Sequence, residues 1–183
     1  MRLVGTQDNP EPEWVLAALR VHQAALLRYA ASFVGETRAQ DVVQDAFLRL
    51  CSQPVESVQD HLAAWLFTVC RNRALEIQRA ERRTEAIEEE DEDMLESPDS
   101  GPSAKLERAE NLSLVGAAMA ALPSKQREVL RLKVEAGLSY KDIAEVMNLT
   151  VGNVGFILHS AIARVRESIT EQERAPRSEG STQ

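Results

Sequence analysis

The sequence is poor in cysteine and in aromatic residues, and it has no long apolar run. Only Cys51 and Cys70 are cysteines among 183 residues, and aromatic residues make up 4%. Because the cysteines form no CxxC motif and the histidines show no paired spacing, we expect two reduced core thiols, with neither a metal nor a cofactor. No apolar stretch approaches the roughly 20 residues of a membrane span, and no basic-then-apolar signal segment opens the chain. We therefore expect a cytoplasmic protein without membrane insertion.

The residue types that build an enzyme site form no recognisable motif. His22, His61 and His159 are scattered, and no activated nucleophile or phosphate-binding loop stands out. These observations argue against an enzyme. The chain does contain small aliphatic side chains at helical periods, within a hydrophobic content of 44%, and seven prolines at the ends of the patterned segments. This combination predicts an all-α fold.

The net charge of −8 is concentrated in one short segment. Residues 1–83 carry ten basic and ten acidic side chains, residues 84–110 carry two and eleven, and residues 111–183 carry nine and eight. The regions on either side of the acidic segment are therefore close to neutral, with local basic patches. The overall acidity does not exclude binding to nucleic acid.

Apolar periodicity divides the chain into two small helical domains joined by an acidic flexible linker. The predicted boundaries are a flexible leader at 1–12, a first domain at 13–83, the linker at 84–103, a second domain at 104–170 and a polar tail at 171–183. In the first domain, helical patterns cover 13–34, 39–51 and 61–83, and Gly35 and Pro54 separate them.

Residues 138–166 have the pattern of a helix-turn-helix. Ser139 and Asp142 have capping-box spacing at the start of the first helix. Asn148 tolerates the left-handed backbone of a tight turn, and Thr150 is placed to cap the second helix. The predicted buried stripe consists of Ile143, Met147, Leu149, Val151, Val154, Leu158, Ile162 and Val165. An ordinary helical hairpin has the same features, so this segment alone does not fix a function.

Two longer blocks give the sequence a recognisable resemblance. The N-terminal LLRYAASFVGE, AQDVVQDAFLRL and AWLFTVCRNRALEIQRAERR, followed by the C-terminal ALPSKQREVLRLKVEAGLSYKDIAEVMNLTVGNV, resemble a bacterial RNA polymerase sigma factor of the extracytoplasmic-function (ECF) type, in the sigma-70 family. The resemblance implies that the first domain docks on the clamp of core RNA polymerase and opens promoter DNA. It implies that the second domain binds the polymerase flap and the upstream, minus-thirty-five element of double-stranded promoter DNA.

The resemblance also implies roles for two groups of residues in the first domain. The expected polymerase-binding residues share neighbouring helix faces and are Asp41, Gln44, Asp45 and Leu48; a solvated acidic face is the alternative. The expected promoter-binding residues lie on the third helix and are Arg71, Asn72, Arg73, Arg79, Arg82 and Arg83; a charged helix without a DNA role is the alternative. In the family, the asparagine matching Asn72 lies beside a pocket for a base flipped out of the non-template single strand, and the loop 52–60 forms the other wall.

The acidic linker and the last helix leave questions open. Residues 88–93 suit either a solvated tether or a mimic of RNA in the polymerase channel, toward which the family's linker threads.

The last helix reads VGNVGFILHSAIARVR, with few of the basic residues frequent in the family. The expected DNA-contacting residues of the second domain are Arg127, Lys141, Thr150, Gly152, Asn153 and Phe156. Two hypotheses remain: a promoter-recognition factor, and a sigma-like protein that binds polymerase or an anti-sigma factor without specific DNA contact.

Overall fold

The computed structural model describes residues 13–88 and 114–174, and all regular secondary structure in these ranges is helical. The elements are α1 (Glu13–Cys51), α2 (Val55–Val58), a 3-10 turn (Gln59–His61), α3 (Leu62–Glu88), α4 (Leu114–Ala120), α5 (Ser124–Val134), α6 (Tyr140–Met147) and α7 (Val151–Arg174). The predicted all-α fold is confirmed.

Gly35 divides α1 into two halves that run in different directions. Its backbone has φ 77° and ψ 168°, a conformation that residues with a Cβ rarely adopt. The break frees the carbonyl of Phe33, which accepts a hydrogen bond of 2.8 Å from the side-chain amide of Gln78 on α3. An ion pair between Arg38 and Glu81 also joins the second half of α1 to α3. The second half begins directly after Gly35, earlier than the predicted residue 39.

The core of the first domain lies between α1 and α3. Leu26, Leu50, Leu66 and Phe67 are fully buried there. The ring of Tyr29 makes edge-on contacts with Phe67 and with a second phenylalanine on α1, at centroid distances of 5.2 and 5.1 Å. This packing fixes the rotation of α3 and therefore decides which of its faces remain available for binding.

The predicted linker begins too early. Residues 84–88 continue α3, because TEAIE contains no glycine or proline and is rich in good helix formers. The prediction failed because it relied on the loss of apolar periodicity, which does not by itself end a helix. The rest of the predicted linker, the start of the second domain up to residue 113, the leader and the end of the tail lie outside the described residues. The hypothesis of RNA mimicry falls largely on that part.

The predicted helix-turn-helix is present as α6 and α7. Ser139 and Asp142 form both hydrogen bonds of a capping box, and Asn148 is left-handed with φ 51° and ψ 55°. The Thr150 hydroxyl accepts a hydrogen bond of 3.2 Å from the backbone N–H of Asn153. The helix caps and the left-handed turn residue that were predicted from these residue types therefore form in the structure.

The buried stripe of α7 differs from the predicted one at two positions. Val151, the first residue of the helix, is 49% exposed, and Ile162 is 39% exposed. Ile157 and Ala161 are buried instead. With 3.6 residues per turn, Ala161 lies on the same side of the helix as the buried Val154. Ile162 lies about 80° from Val154 around the helix axis and therefore leaves the buried face.

The two domains pack against each other through α3 and α6, and their buried apolar side chains form one contiguous cluster. No single helix in the described ranges is long and apolar enough to cross a membrane. Residues 140–147 and 151–171 reach that criterion only as a pair bent by 100°, and the apolar stripe of this pair is packed in the core.

Candidate nucleic-acid and partner-binding surfaces

A groove of about 530 Å³ runs along the first domain between the two halves of α1. Its lining is largely apolar and comprises Val15, Leu16, Leu19, Gln23, Leu27, Gln40, Val43, Gln44, Phe47, Leu48 and Cys51. Leu48 is 62% exposed and Leu16 is 40% exposed, so the rim presents large apolar side chains to solvent. A groove of this kind suits an apolar helix face of a partner protein.

The four predicted polymerase-binding residues do not contribute equally to this surface. Gln44 and Leu48 line the groove, and Asp41 is exposed on the same helix face. Asp45 is half-buried and forms an ion pair of 3.0 Å with Arg49. Its charge is therefore partly neutralised within the helix, which leaves Asp41 as the more available acid.

The two thiols lie in different environments. Cys70 is fully buried, and this burial, together with the nearby Asp45 carboxylate, raises its pKa to about 12. Cys51 is exposed at the end of the groove, which corrects the expectation of two core thiols. Its place in a helical pattern favoured burial, but Cys51 is the last residue of α1 and lines the groove instead of the core.

The predicted promoter-binding residues of α3 divide between two faces. Asn72, Arg79 and Arg83 lie at i, i+7 and i+11 and are exposed, so they form a single stripe along the helix. We call these three residues the outer stripe. Arg73, also exposed, is held by Glu76 at 3.4 Å. Arg71 and Arg82 lie about 80–100° round the helix from Asn72 and line a cleft of about 580 Å³ between the domains; Arg71 is partly buried there, whereas Arg82 is exposed.

Arg71 is bound by the second domain. Its Nε donates a hydrogen bond of 2.7 Å to Oε1 of Glu128, and the Tyr29 hydroxyl donates a second bond of 2.7 Å to the same oxygen. The side chains of Arg71 and Glu128 are 23% and 13% exposed. Burial alone lowers the pKa of Arg71, but the contact with Glu128 outweighs it and raises that pKa. Burial, followed by the nearby Glu128 carboxylate, raises the pKa of Tyr29 well above its ordinary value.

The N-terminal turns of α7 present Gly152, Asn153 and Phe156 to solvent, with Phe156 74% exposed. The predicted contacts Thr150 and Lys141 are also exposed. Thr150, Gly152, Asn153 and Phe156 lie at or just before the start of the second helix, the part of a helix-turn-helix that generally enters the DNA major groove. The surface is accessible but carries little positive charge.

Arg127 has a structural role in the second domain. Its Nη2 donates hydrogen bonds of 2.6 and 2.9 Å to the carbonyls of Ala120 and Leu122, at the end of α4. These carbonyls lack helical partners, so the guanidinium caps them. Only the outer part of this side chain is available to a phosphate.

Tyr140 is a surface residue that the sequence did not single out. It is 42% exposed, and the Lys133 ammonium lies 5.5 Å from the centre of its ring. A Cβ added at Gly155 would lie 3.7 Å from its Cε2 atom, so the ring packs beside the start of α7. A tyrosine that begins a helix gives no sequence signal for this position, because the contact depends on how α6 crosses α7.

Comparison with known proteins identifies the family. The Sigma-70 region 2 family matches residues 19–84, and the Sigma-70, region 4 family matches residues 112–165. ECF RNA polymerase sigma factor EcfG of Rhodopseudomonas palustris is 34% identical over 151 residues, which cover 80% of this chain and 77% of EcfG. SigL of Mycobacterium tuberculosis, also an ECF RNA polymerase sigma factor, is 29% identical over 153 residues, which cover 82% of this chain and 85% of SigL.

Solved structures agree with this assignment. Sigma factor RpoE, in complex with the anti-sigma factor NepR from Bartonella quintana, has a TM-score of 0.59 and 26% identity, covering 86% of this chain and 98% of RpoE. CnrH, in complex with the cytosolic domain of CnrY, has a TM-score of 0.55 and shares the fold at 24% identity, covering 87% of this chain and 89% of CnrH.

The helical fold, the helix-turn-helix and the two matched regions define a sigma-70-type transcription initiation factor, which binds core RNA polymerase and directs it to promoters. Within that class, the chain belongs to the ECF RNA polymerase sigma factors.

Proposed function

We propose that this sigma factor docks on core RNA polymerase through the groove of its first domain, opens promoter DNA with the outer stripe of α3, and contacts the upstream element with the start of α7. The exposed apolar rim of the groove, with Leu48 at 62% exposure, is the observation that supports the docking surface. A solvated acidic face would not need large apolar side chains beside Asp41 and Gln44. Because its partner polymerase works in the cytoplasm, we place the protein there.

The proposed docking surface is tested by a substitution that places a charged side chain in the groove. Leu48→Asp should weaken binding to core polymerase at least tenfold, because truncation of a central apolar contact typically costs about 2 kcal/mol or more. Val21→Asp is the matched control, since Val21 is an equally apolar residue of α1, 71% exposed and outside the groove. Fluorescence anisotropy measures the affinity of each variant for core polymerase, and both variants must keep the helical content of the wild type. Equal affinities of the two variants would contradict the docking assignment.

The start of α7 supports upstream recognition with little charge. Asn153 can pair with an adenine edge, and Phe156 can contact a thymine methyl group in the major groove. We therefore expect an A·T-rich preference and a smaller dependence of affinity on salt than for a helix with the usual basic residues. This contact orients the second domain, while the polymerase supplies much of the binding free energy.

A second candidate function for the same surface is protein binding. Phe156, Val151 and Tyr140 are 74%, 49% and 42% exposed, so the starts of the two helices present three large apolar side chains to solvent. RpoE, at 26% identity, is seen in complex with the anti-sigma factor NepR, and we therefore propose an anti-sigma factor as the partner for this surface. Ile157, the residue after Phe156, is buried and takes no part in this surface.

One experiment separates the two functions of α7. Initiation by reconstituted holoenzyme is measured on an intact promoter and on one with a scrambled upstream element, using wild-type protein and an Asn153→Ala, Phe156→Ala variant. DNA reading predicts that scrambling reduces wild-type initiation and has little further effect on the variant. If scrambling changes nothing and the variant loses only binding to a protein partner, the DNA-reading role is wrong.

A further inference from the structure

The cleft between the domains is lined by more positive than negative charge. Its volume is about 580 Å³, and its basic residues come from α3 and α5: they are Arg71, Arg82, Lys125, Arg127 and Arg131. Glu128 is the one acidic side chain among the described residues of the lining, so five positive charges accompany one negative charge. Walls that carry one sign of charge concentrate the electrostatic field in the space between them. The cleft therefore attracts anions.

Two of the five basic side chains are engaged by the protein itself. Arg71 donates a hydrogen bond of 2.7 Å to Oε1 of Glu128, so these two charges neutralise each other. The Nη2 atom of Arg127 donates to two backbone carbonyls, at 2.6 and 2.9 Å. The charge that remains available to a ligand therefore belongs mainly to the other three cations.

The three available cations come from both domains. Arg82 on α3 and Lys125 on α5 are exposed, and neither forms a hydrogen bond or an ion pair with another described residue. Arg131 on α5 is held only loosely by Glu135, at 3.9 Å. Arginine and lysine side chains bind phosphate oxygens through charge-assisted hydrogen bonds, which are stronger than neutral ones. These three side chains can therefore bind a group that carries several negative charges.

The start of α5 adds hydrogen-bond donors at the same cleft. Ser124 and Lys125 are the first two residues of this helix of 11 residues, and both line the cleft. The N-cap residue, Pro123, provides no side-chain cap, so the first backbone N–H groups of α5 have no side-chain acceptor. Free N–H groups and the positive end of a helix dipole reinforce the preference of the basic side chains for phosphate.

The cleft also has an apolar lining, which points to a ligand larger than inorganic phosphate. Phe33 and Leu75 are half-buried, Met147 is buried, and all three line the cleft. Small-molecule sites typically have volumes of about 300–1,000 Å³ and combine apolar walls with a few charged groups. A flat ring packs well against phenylalanine and methionine side chains. A lone phosphate ion would leave most of this volume and the apolar wall unused.

We propose that the cleft between the domains is a binding site for a nucleoside polyphosphate. Its phosphate groups bind Arg82, Lys125 and Arg131, and its base packs against Phe33, Leu75 and Met147. Adjacent phosphates place several negative charges close together, whereas a nucleic-acid strand spreads one charge over each nucleotide. Because the binding groups come from both domains, the bound molecule links α3 to α5.

The test measures binding of three probes to free, full-length protein by isothermal titration calorimetry. The probes are adenosine triphosphate (ATP), inorganic tripolyphosphate and adenosine. ATP should bind at least fivefold more tightly than tripolyphosphate, and adenosine should show no measurable binding. Equal affinities for ATP and tripolyphosphate would overturn the assignment to a nucleotide, and equal affinities for ATP and adenosine would overturn the phosphate site.

Charge reversals test the location of the site. Arg82→Glu and Lys125→Glu lie in different domains, and each should weaken ATP binding at least tenfold, because each removes a charge-assisted hydrogen bond. Arg164→Glu is the matched control, since Arg164 is exposed on α7 and outside the cleft. Circular dichroism checks that each variant keeps the helical content of the wild type, and the exposure of all three side chains favours this result.

The outcomes that contradict the site are distinct. An equal loss of ATP affinity in Arg164→Glu would show that ATP responds only to the net charge of the protein. A loss in only one of the two cleft variants would show that the ligand does not bridge the domains. Full displacement of ATP by a short single strand of DNA would assign the cleft to nucleic acid and overturn the proposal.

Discussion

Single residues of the same type have different roles in this protein, and the two cysteines show this most directly. Cys51 ends α1 at the proposed docking groove, and Cys70 is enclosed in the core with a pKa raised to about 12. Only a thiolate reacts rapidly with an alkylating reagent, so both the access and the protonation state of Cys70 oppose its modification.

We expect iodoacetamide near pH 8 to modify Cys51 alone, with Cys70 reacting only after denaturation. Addition of core polymerase should slow the modification of Cys51, because the groove is then occupied. Mass spectrometry of tryptic peptides measures the modification of each cysteine and the protection of Cys51 by polymerase. Comparable rates at the two thiols in native protein would contradict the burial of Cys70, and an unprotected Cys51 would contradict the docking site.

In the proposed function, the outer stripe of α3 combines a base-reading residue, Asn72, with arginines that bind phosphates. Asn72→Ala should reduce discrimination at a single base of the melted strand by about 1–3 kcal/mol, because an amide reads one base edge. Arg79→Ala should weaken binding to all sequences and reduce its salt dependence. Affinity measurements on single strands substituted one base at a time test this difference. A loss spread evenly over all positions in Asn72→Ala would remove the base-reading role.

At the scale of the elements, the start of α7 carries a glycine that its fold does not require. Gly155 has no left-handed backbone, and an added Cβ would make an ordinary contact of 3.7 Å with the Tyr140 ring. A glycine inside a helix costs roughly 0.5–1 kcal/mol relative to alanine. Its presence at the end of the helix that we propose to face DNA is consistent with close approach of the backbone to a ligand.

We expect Gly155→Ala to stabilise the protein by roughly 0.5–1 kcal/mol while weakening initiation that depends on the upstream element. Gly152→Ala tests the same proposed DNA-contacting surface a second time, because a Cβ at Gly152 meets no atom within 4 Å and so should not disturb the fold. Chemical denaturation and promoter assays measure the two effects separately. Higher stability without any loss of upstream dependence would show that the glycine serves no DNA contact.

At the scale of the whole molecule, the domain contact predicts a dependence of stability on alkaline pH. The pKa of Tyr29 is raised in the folded state, first by burial and then by Glu128. A raised pKa means that its stabilising effect is complete below the unfolded value of about 10 and is lost as pH rises from there toward the folded pKa. The hydroxyl must remain protonated to donate to the carboxylate.

We therefore expect the free energy of unfolding of wild-type protein to fall relative to that of Tyr29→Phe above pH 10, by at most about 1.4 kcal/mol per pH unit. The comparison removes the similar contribution of Cys70, which both proteins retain. Urea titrations across this range provide the measurement. A constant difference between the two proteins would show that folding does not raise the pKa of Tyr29.

Local sequence determined the helices, the Gly35 break and the helix-turn-helix. Ser139, Asn148 and Thr150 act on backbone groups within four residues, so their residue types are sufficient to specify the caps and the turn. The sequence also placed the arginines of α3 on a helix. The predicted end of α3 was wrong at residues 84–88, because helix propensity continues there after apolar periodicity stops.

Only the tertiary structure decided which residues are available to partners. Tyr29 and Glu128 are 99 positions apart, and Arg71 and Glu128 are 57 apart, so no local pattern pairs them. Helical periodicity places Arg71 and Asn72 on different faces, but it does not say which face the second domain covers. That choice follows from packing α1, α3 and α6 into one contiguous core, since burial and ion pairing depend on neighbours that the chain order does not specify.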